Sequence, residues 1–389
     1  MSSDTAPLTG PEMRFAGATL TIDLDALKEN YSALARVCLP AATAGVVKAD
    51  AYGLGIDRVV PALAAAGCMQ FFVALPEEGA AVRRVAPEAT IYVLNGLFSA
   101  ESAEIYRTDR LVPVLNSPTD IHLWETFCGV TGEVLPCVIN VDTGMNRLGM
   151  SVEEALSFAD ENGLTQAVKP VLVMSHLACA DELTHPMNRR QLESFQQVAD
   201  AFPGIESSLV NSAGVLLGSE FRFGLTRPGI GVYGGAFASG VRNPMRTVVT
   251  AEARVAQVRH AKAGETVSYG ATETLARDTI IAVAAVGYAD GYHRAASGSG
   301  VRLREMQGPA GHGFVQGQRV PILGRVTMDL TMFDVTDLGE GMVNRGDMIE
   351  LFGPNISVDE AAEAAGTISY ELLTGLGRRY HRRYAESGS

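Results

Sequence analysis

The segment Val46-Val47-Lys48-Ala49-Asp50-Ala51-Tyr52-Gly53-Leu54-Gly55 sets an amine at the end of a β-branched apolar run, with a tyrosine and two glycines directly behind it. A buried strand has no use for that lysine, because lysines are rarely fully buried unless paired. One reading is a strand-end lysine whose ammonium reaches water. The other is a reactive amine that forms a Schiff base with a carbonyl cofactor, which requires an unprotonated nitrogen beside a phosphate-holding loop. Gly53 and Gly55 would let backbone approach such a phosphate.

Other polar clusters sit at the ends of apolar runs: Asp142-Thr143-Gly144-Met145-Asn146-Arg147, His176 and Asn211-Ser212-Ala213-Gly214 follow such runs, and Arg227-Pro228-Gly229-Ile230 comes before the last one. Singly, each has a plain explanation as a solvated arginine, a structural histidine or a helix cap. If the runs are strands of one barrel, these groups join Lys48 on one rim, where barrel chemistry resides. Gly229 to Gly234 matches G-x-G-x-x-G, but the helix and second parallel strand of a dinucleotide site do not follow it. Backbone N–H groups of Gly229 and Ile230, with the Ser212 hydroxyl, read better as a phosphate cradle. Downstream loops carry Ser268-Tyr269-Gly270, Gly287-Tyr288 and Met328-Asp329; a tyrosine before a glycine is by itself a packing residue with a wet hydroxyl. His, Cys and carboxylates show no metal-ligand spacing, so no catalytic metal is expected.

The elements that must position these groups alternate. Candidate strands at 44–48, 71–75, 91–94, 111–115, 137–141, 171–175, 208–210 and 229–233 are separated by helix-like stretches such as 76–84, 117–127, 151–161 and 188–201. Eight such units predict a (β/α)8 TIM-like barrel over 20–245. Strands at 248–258, 280–286, 319–323, 331–335 and 347–351 and a closing helix over 369–380 predict a mostly β C-terminal domain over 246–389. Residues 10–19 would pair with that domain, and 1–9 would be a disordered tail.

Bulk properties narrow the function. The 389 residues are 47% hydrophobic and 19% charged, with a net charge of -13, which disfavours nucleic acid and anionic membranes as partners. No apolar run is long enough for a bilayer. Five scattered cysteines (Cys38, Cys68, Cys128, Cys137, Cys179) without C-x-x-C spacing suit reduced thiols and a cytoplasmic location, and the polar N-terminus does not resemble a signal peptide.

Taken together, the motifs resemble alanine racemase of the pyridoxal-phosphate, barrel-plus-β-domain type. From about residue 20 to 384 they run in that family's order: the Lys48 segment, Asp-Thr-Gly-Met-Asn-Arg147, Ser-His176-Leu-Ala, Asn-Ser212-Ala-Gly, Arg227-Pro-Gly-Ile230, Ser-Tyr269-Gly-Ala, Gly-Tyr288-Ala-Asp-Gly, Gly-Arg-Val-Thr-Met328-Asp329 and Ile-Ser-Tyr370-Glu. The resemblance implies interconversion of L- and D-alanine, a cell-wall precursor, in a homodimer with shared active sites. Lys48 would carry pyridoxal 5'-phosphate as an imine and then act as base on one face of the substrate. Tyr269 of the partner subunit would be the base on the other. Inversion of a stereocentre is served by one group on each side.

By the same resemblance Arg227 contacts the pyridine nitrogen, and His176 links Arg227 to Tyr269. Tyr52, Ser212, Gly229, Ile230 and Tyr370 hold the phosphate. Arg147 and the backbone at Met328 hold the substrate carboxylate, and Tyr288 and Asp329 narrow the entrance. One position departs: seven residues before Arg147 the family commonly has a carbamylated lysine, and here stands Asn140. Arg147 then needs another counter-charge, for which a chloride near Asn140 is the expectation. Two alternatives remain open from sequence: a broad-specificity racemase, for instance for serine, and a non-catalytic barrel that binds pyridoxal phosphate. A barrel decarboxylase for basic amino acids fits less well, since the second half contains no cysteine.

Overall fold

The computed structural model describes residues 15–160, 168–299 and 310–387; the expectations for 1–9 and for the start of 10–19 lie outside the described residues. Two units are present: the described parts of Met1–Leu27, Tyr233–Gly235 and Arg246–Ser389 form one, and Lys28–Val232 with Ala236–Met245 form the other. The first strand, β1 (Ala18–Asp23), belongs to the former.

The second unit carries β2 (Ala42–Thr43), β3 (Gly45–Val46), β4 (Gln70–Val73), β5 (Thr90–Val93), β6 (Val112–Leu115), β7 (Leu135–Asn140), β8 (Val168–Met174), β9 (Glu206–Ser208) and β10 (Leu225–Thr226). Strands β3 to β9 form one parallel sheet in chain order, and β10 pairs in parallel with β2. Bonds from Gly224 N to Ser207 O (3.1 Å) and from Arg227 N to Val210 O (3.0 Å) join β10 to the β9 side. With β2 and β3 as one interrupted strand, the set is an eight-stranded (β/α)8 barrel. One side chain after another from successive strands fills its interior, among them Ala44, Phe72, Tyr92, Val114, Val138, Leu172 and Leu225.

The eighth strand, expected at 229–233, lies instead at Leu225–Thr226, and 230–234 is a run of turns. Pro228 has no N–H to give a ladder, and the glycines at 229, 231 and 234 weaken strand pairing. Helices Pro76–Val85, Pro118–Thr131, Val152–Asp160 and Pro186–Ala201 match the expected segments. In the second of these Ser117 Oγ accepts from Asp120 N at 3.1 Å, an N-cap, while Ile121, Trp124 and Cys128 recur on its buried face.

The other unit adds β11 (Val249–Ala261), β12 (Thr266–Val267), β13 (Glu273–Thr274), β14 (Thr279–Ala284), β15 (His312–Val315), β16 (Gln318–Leu323), β17 (Thr331–Asp334), β18 (Met348–Phe352) and β19 (His381–Ala385). Its main sheet runs β14-β17-β16-β15-β18-β11-β1-β19, and β14 also pairs with β11. Alternation in β11 buries Val249, Ala251, Ala253 and Val255 on one face. Because β1 is antiparallel to β11 and parallel to β19, the boundary expected at residue 20 falls inside a strand of the β unit. The closing helix expected over 369–380 ends at Thr374, and β19 follows. Gly375 and Gly377 interrupt it, being poor helix formers, and a Cβ would fit only tightly there, 3.0 Å from Glu371 O and 3.2 Å from Ala289 O respectively.

Candidate active site

Lys48 does not end a strand; it opens a short turn of left-handed helix. Ala49, Asp50 and Ala51 have φ of 53–54° and ψ of 50–52°, and Tyr52 has φ 56°. Each such L-residue costs about 1–2 kcal/mol, so four in succession persist only if neighbours over-determine them. Gly53 (φ 80°) and Gly55 (φ 95°) prolong the path at little cost. Bonds from Gly53 N to Ala49 O (2.7 Å), Gly55 N to Asp50 O (2.9 Å) and Ile56 N to Asp50 Oδ1 (2.8 Å) hold the turn. Ala49 N donates to Glu78 Oε1 at 2.6 Å. The Lys48 amine is pushed below the usual lysine range by burial and then by the Arg147 charge, against a smaller opposing pull from Glu78.

Arg227 follows β10 and is 4% exposed. Its guanidinium donates to Ser208 Oγ, to Ser175 O at 2.5 Å and to Leu209 O at 3.4 Å, and lies 3.5 Å from His176 Nδ1. Phe72 lies beneath it at 5.7 Å. No carboxylate among the described residues pairs with it, and burial pulls its pKa down to about 9, which leaves it charged at neutral pH. His176 is pulled down to about 3 by burial and then by Arg227, Arg147 and Lys48, so it is neutral. A neutral ring that accepts from Arg227 at Nδ1 keeps its proton on Nε2.

The phosphate candidates also meet. Ser212 Oγ accepts from Gly229 N at 2.8 Å and from Gly231 N at 3.2 Å. Gly229 N–H is therefore engaged, whereas Ile230 N–H finds no acceptor among the described residues. Gly229 serves by its lack of a side chain, since a Cβ there would lie 2.2 Å from Tyr52 Oη. Arg147 sits on a loop shaped by Asp142, whose carboxylate accepts from the backbone N of Gly144, Met145 and Arg147 at 2.7–3.0 Å. The Arg147 guanidinium has no partner among the described residues. Asn140, at the end of β7, donates to Asn116 Oδ1 at 2.7 Å and is 8% exposed.

The β unit holds the remaining candidates. Tyr269 occupies a 3-10 turn between Ser268 (φ 67°) and Gly270 (φ 79°), with its side chain 73% exposed. Ser268 Oγ donates to Arg325 O at 2.8 Å. Tyr288 and Met328 lie on two loops joined by Tyr288 N to Thr327 O and Ala289 N to Met328 O, each 3.0 Å. Arg379 ties Asp329 to Asp290 at 2.7 Å each. Tyr370 lies in the helix Ser369–Thr374, with its residue partly exposed.

Three positioning groups are absent from the sequence reading. Glu78 had a visible signal, a glutamate at the third position of a proline-started helix, which is half of a capping box. Gln191 is wholly buried, accepts from Ala178 N at 2.8 Å and donates to His176 O at 2.9 Å; nothing in its local sequence marks it. Ser208 is likewise seen only once β9 and β10 are side by side. No group of three or more potential metal ligands occurs among the described residues.

This constellation has a use for a cofactor that brings an aromatic nitrogen and a phosphate: the uncompensated Arg227 cation, the open Ile230 N–H and the Ser212 hydroxyl suit those two ends. Residues 22–236 match the family model for the alanine racemase N-terminal domain, and 248–384 match that for the C-terminal domain. The chain is 52% identical to alanine racemase of Rhizobium meliloti, over 97% of this chain and 99% of that one. It is 53% identical to the biosynthetic alanine racemase of Agrobacterium fabrum, over 94% and 93%. The crystal structure of alanine racemase from Bartonella henselae with covalently bound pyridoxal phosphate superposes with a TM-score of 0.87 at 36% identity, covering 95% of this chain and 99% of that one. With both halves matched and nearly the whole length aligned, the chain belongs to the alanine racemase family.

Proposed function

We propose that this protein interconverts L- and D-alanine with pyridoxal 5'-phosphate attached to Lys48. The observation that carries the proposal is the buried Arg227 cation, with no carboxylate partner among the described residues and 3.5 Å from a neutral His176, on the barrel that carries a depressed Lys48 amine. Pyridoxal phosphate supplies an electron-accepting ring that makes the proton on the substrate's α-carbon removable. Arg227 only donates and does not surrender its proton, so it holds the ring nitrogen without protonating it.

Lys48 Nζ, whose depressed pKa favours the free amine, removes or returns the α-proton on one face. Tyr269 of the partner subunit does so on the other. Nε2–H of His176 donates toward that phenol's oxygen and helps it lose its proton, while Nδ1 is held by Arg227. Tyr52, Ser212, Gly229 and Ile230 form the phosphate end of the site; Arg147, with the partner's Met328 backbone, orients the substrate carboxylate. The partner's Tyr288 and the partner's Asp329 leave room for a small side chain, which favours alanine over bulkier amino acids.

The functional unit in this proposal is a homodimer, in which the exposed Tyr269 of each subunit serves the other's site. Chloride beside Asn140 and Arg147 provides the counter-charge that an asparagine lacks. The five cysteines are all free thiols, which supports a cytoplasmic location, and among the described residues no helix is long and apolar enough to cross a membrane. Borohydride reduction of the purified protein followed by peptide mapping tests the attachment: the pyridoxyl mass should fall on the peptide containing Lys48. A label on another lysine overturns the assignment.

A further inference from the structure

We propose that Glu78 is a positioning residue that holds Lys48 and Tyr52 in register by clamping the left-handed turn between them to the end of the neighbouring barrel strand. The inference rests on the assignment of Lys48 and Tyr52 to the cofactor site, which does not itself involve Glu78. One carboxylate spans two strand ends. Its Oε1 accepts from Ala49 N at 2.6 Å, while its Oε2 accepts from Ala74 N at 2.8 Å and Leu75 N at 3.2 Å. Ala49 N–H belongs to the peptide directly after Lys48, so the bond fixes the plane from which the lysine side chain departs. Ala74 and Leu75 follow β4 and lead into the helix Pro76–Val85, a rigid mount.

The clamp matters because of what it restrains. Four successive residues in the left-handed region have no intrinsic reason to stay there. Val47 N donates to Phe72 O at 2.9 Å and ties the residue before Lys48 to β4, whereas the N–H groups of Ala51, Gly53, Gly55 and Ile56 bond to acceptors within residues 47–50 and travel with the turn. Glu78 is the restraint that acts directly after Lys48. At its far end Tyr52 Oη is seated against Gly229, where even a Cβ would collide at 2.2 Å. A turn released at Ala49 displaces the lysine at one end and the phosphate-facing tyrosine at the other. The carboxylate also opposes the lowering of the Lys48 pKa, so it both aims the amine and favours its ammonium form.

Charge and reach can be separated. Glu78→Gln keeps the length but brings an NH2 group against backbone donors and removes the charge; Glu78→Asp keeps the charge but is one methylene too short to span both strand ends. Two readouts serve: cofactor dissociation from the holoenzyme, followed by absorbance after dilution, and the pH at which Lys48 is half-modified by trinitrobenzenesulfonate in the full-length protein stripped of cofactor, located by peptide mapping. Glu78→Gln should weaken cofactor retention about tenfold or more, the scale of a lost hydrogen bond to a charged group, and move the Lys48 midpoint to lower pH. Glu78→Asp should weaken retention with the midpoint near that of the parent. Parent-like retention in both variants overturns the clamp, as does a Glu78→Gln midpoint that does not fall. The Lys48 midpoint is measured without cofactor, so it reports on Glu78 even if Lys48 proves not to be the attachment point.

Discussion

Arg227 and His176 form a pair in which the guanidinium, 3.5 Å from Nδ1, faces an imidazole that cannot take up a proton near neutral pH. Both side chains are placed by strand ends: Arg227 by β10 and His176 by β8, through Ser175 O, Ser208 Oγ and the Gln191 bond to His176 O. A cation and a neutral ring held this way form a one-directional relay, from a donor that stays charged at neutral pH to a ring whose remaining proton points elsewhere.

That relay has a pH signature in stability. An exposed histidine takes a proton near pH 6.5, whereas His176 is held down to about 3. Above pH 6.5 the ring is neutral in both folded and unfolded chains and costs nothing. Between 6.5 and about 3 only the unfolded chain is protonated, so the folded state loses stability as pH falls through that window. Denaturant titrations from pH 8 to 5 should show a decline that is shallower in His176→Asn; equal slopes would contradict the neutral-histidine assignment.

Tyr269→Phe should lower racemisation by about 10²–10⁴-fold, the usual worth of a general acid–base group, while the bound cofactor's near-visible absorbance stays. The exposed turn that carries Tyr269 gives no reason for the fold to suffer. Solvent deuterium exchange, followed by proton NMR, should continue without inversion for the one enantiomer of alanine whose α-hydrogen faces Lys48 and be lost for the other, because Lys48 still serves its own face. A fully active variant would refute the second base.

Asn140 makes halide a variable. Among the described residues Asn116 is the side-chain partner of Asn140 and no carboxylate pairs with Arg147, so the KM for alanine should fall as chloride replaces a bulky anion such as gluconate at constant ionic strength. Asn140→Ala should blunt that dependence. An unchanged KM across the series would remove chloride from the site.

Much of the site is legible in the chain because barrel chemistry collects at strand ends. Once the apolar runs are strands, Lys48, Arg147, His176 and Ser212 share a rim with no further information, and Arg227 joins them because the eighth strand ends at Thr226. The eighth strand was displaced because the glycine-rich stretch 229–234, apolar enough to read as β, is committed to turns around Ser212. The left-handed turn after Lys48 is invisible to propensity, since Ala-Asp-Ala-Tyr favours no such conformation and is held there by Glu78 and Asp50. Strand β19, rich in arginine and half-buried, lacks the apolar alternation that marks β11, and it is a strand because β1 offers it an edge.

The central claim is a cofactor-dependent inversion of alanine, and circular dichroism of an L-alanine solution measures it directly. Purified protein with pyridoxal phosphate should drive the alanine signal to zero and, under the same conditions, leave L-serine nearly unchanged. An alanine signal that persists while the cofactor is demonstrably attached to Lys48 would contradict the account.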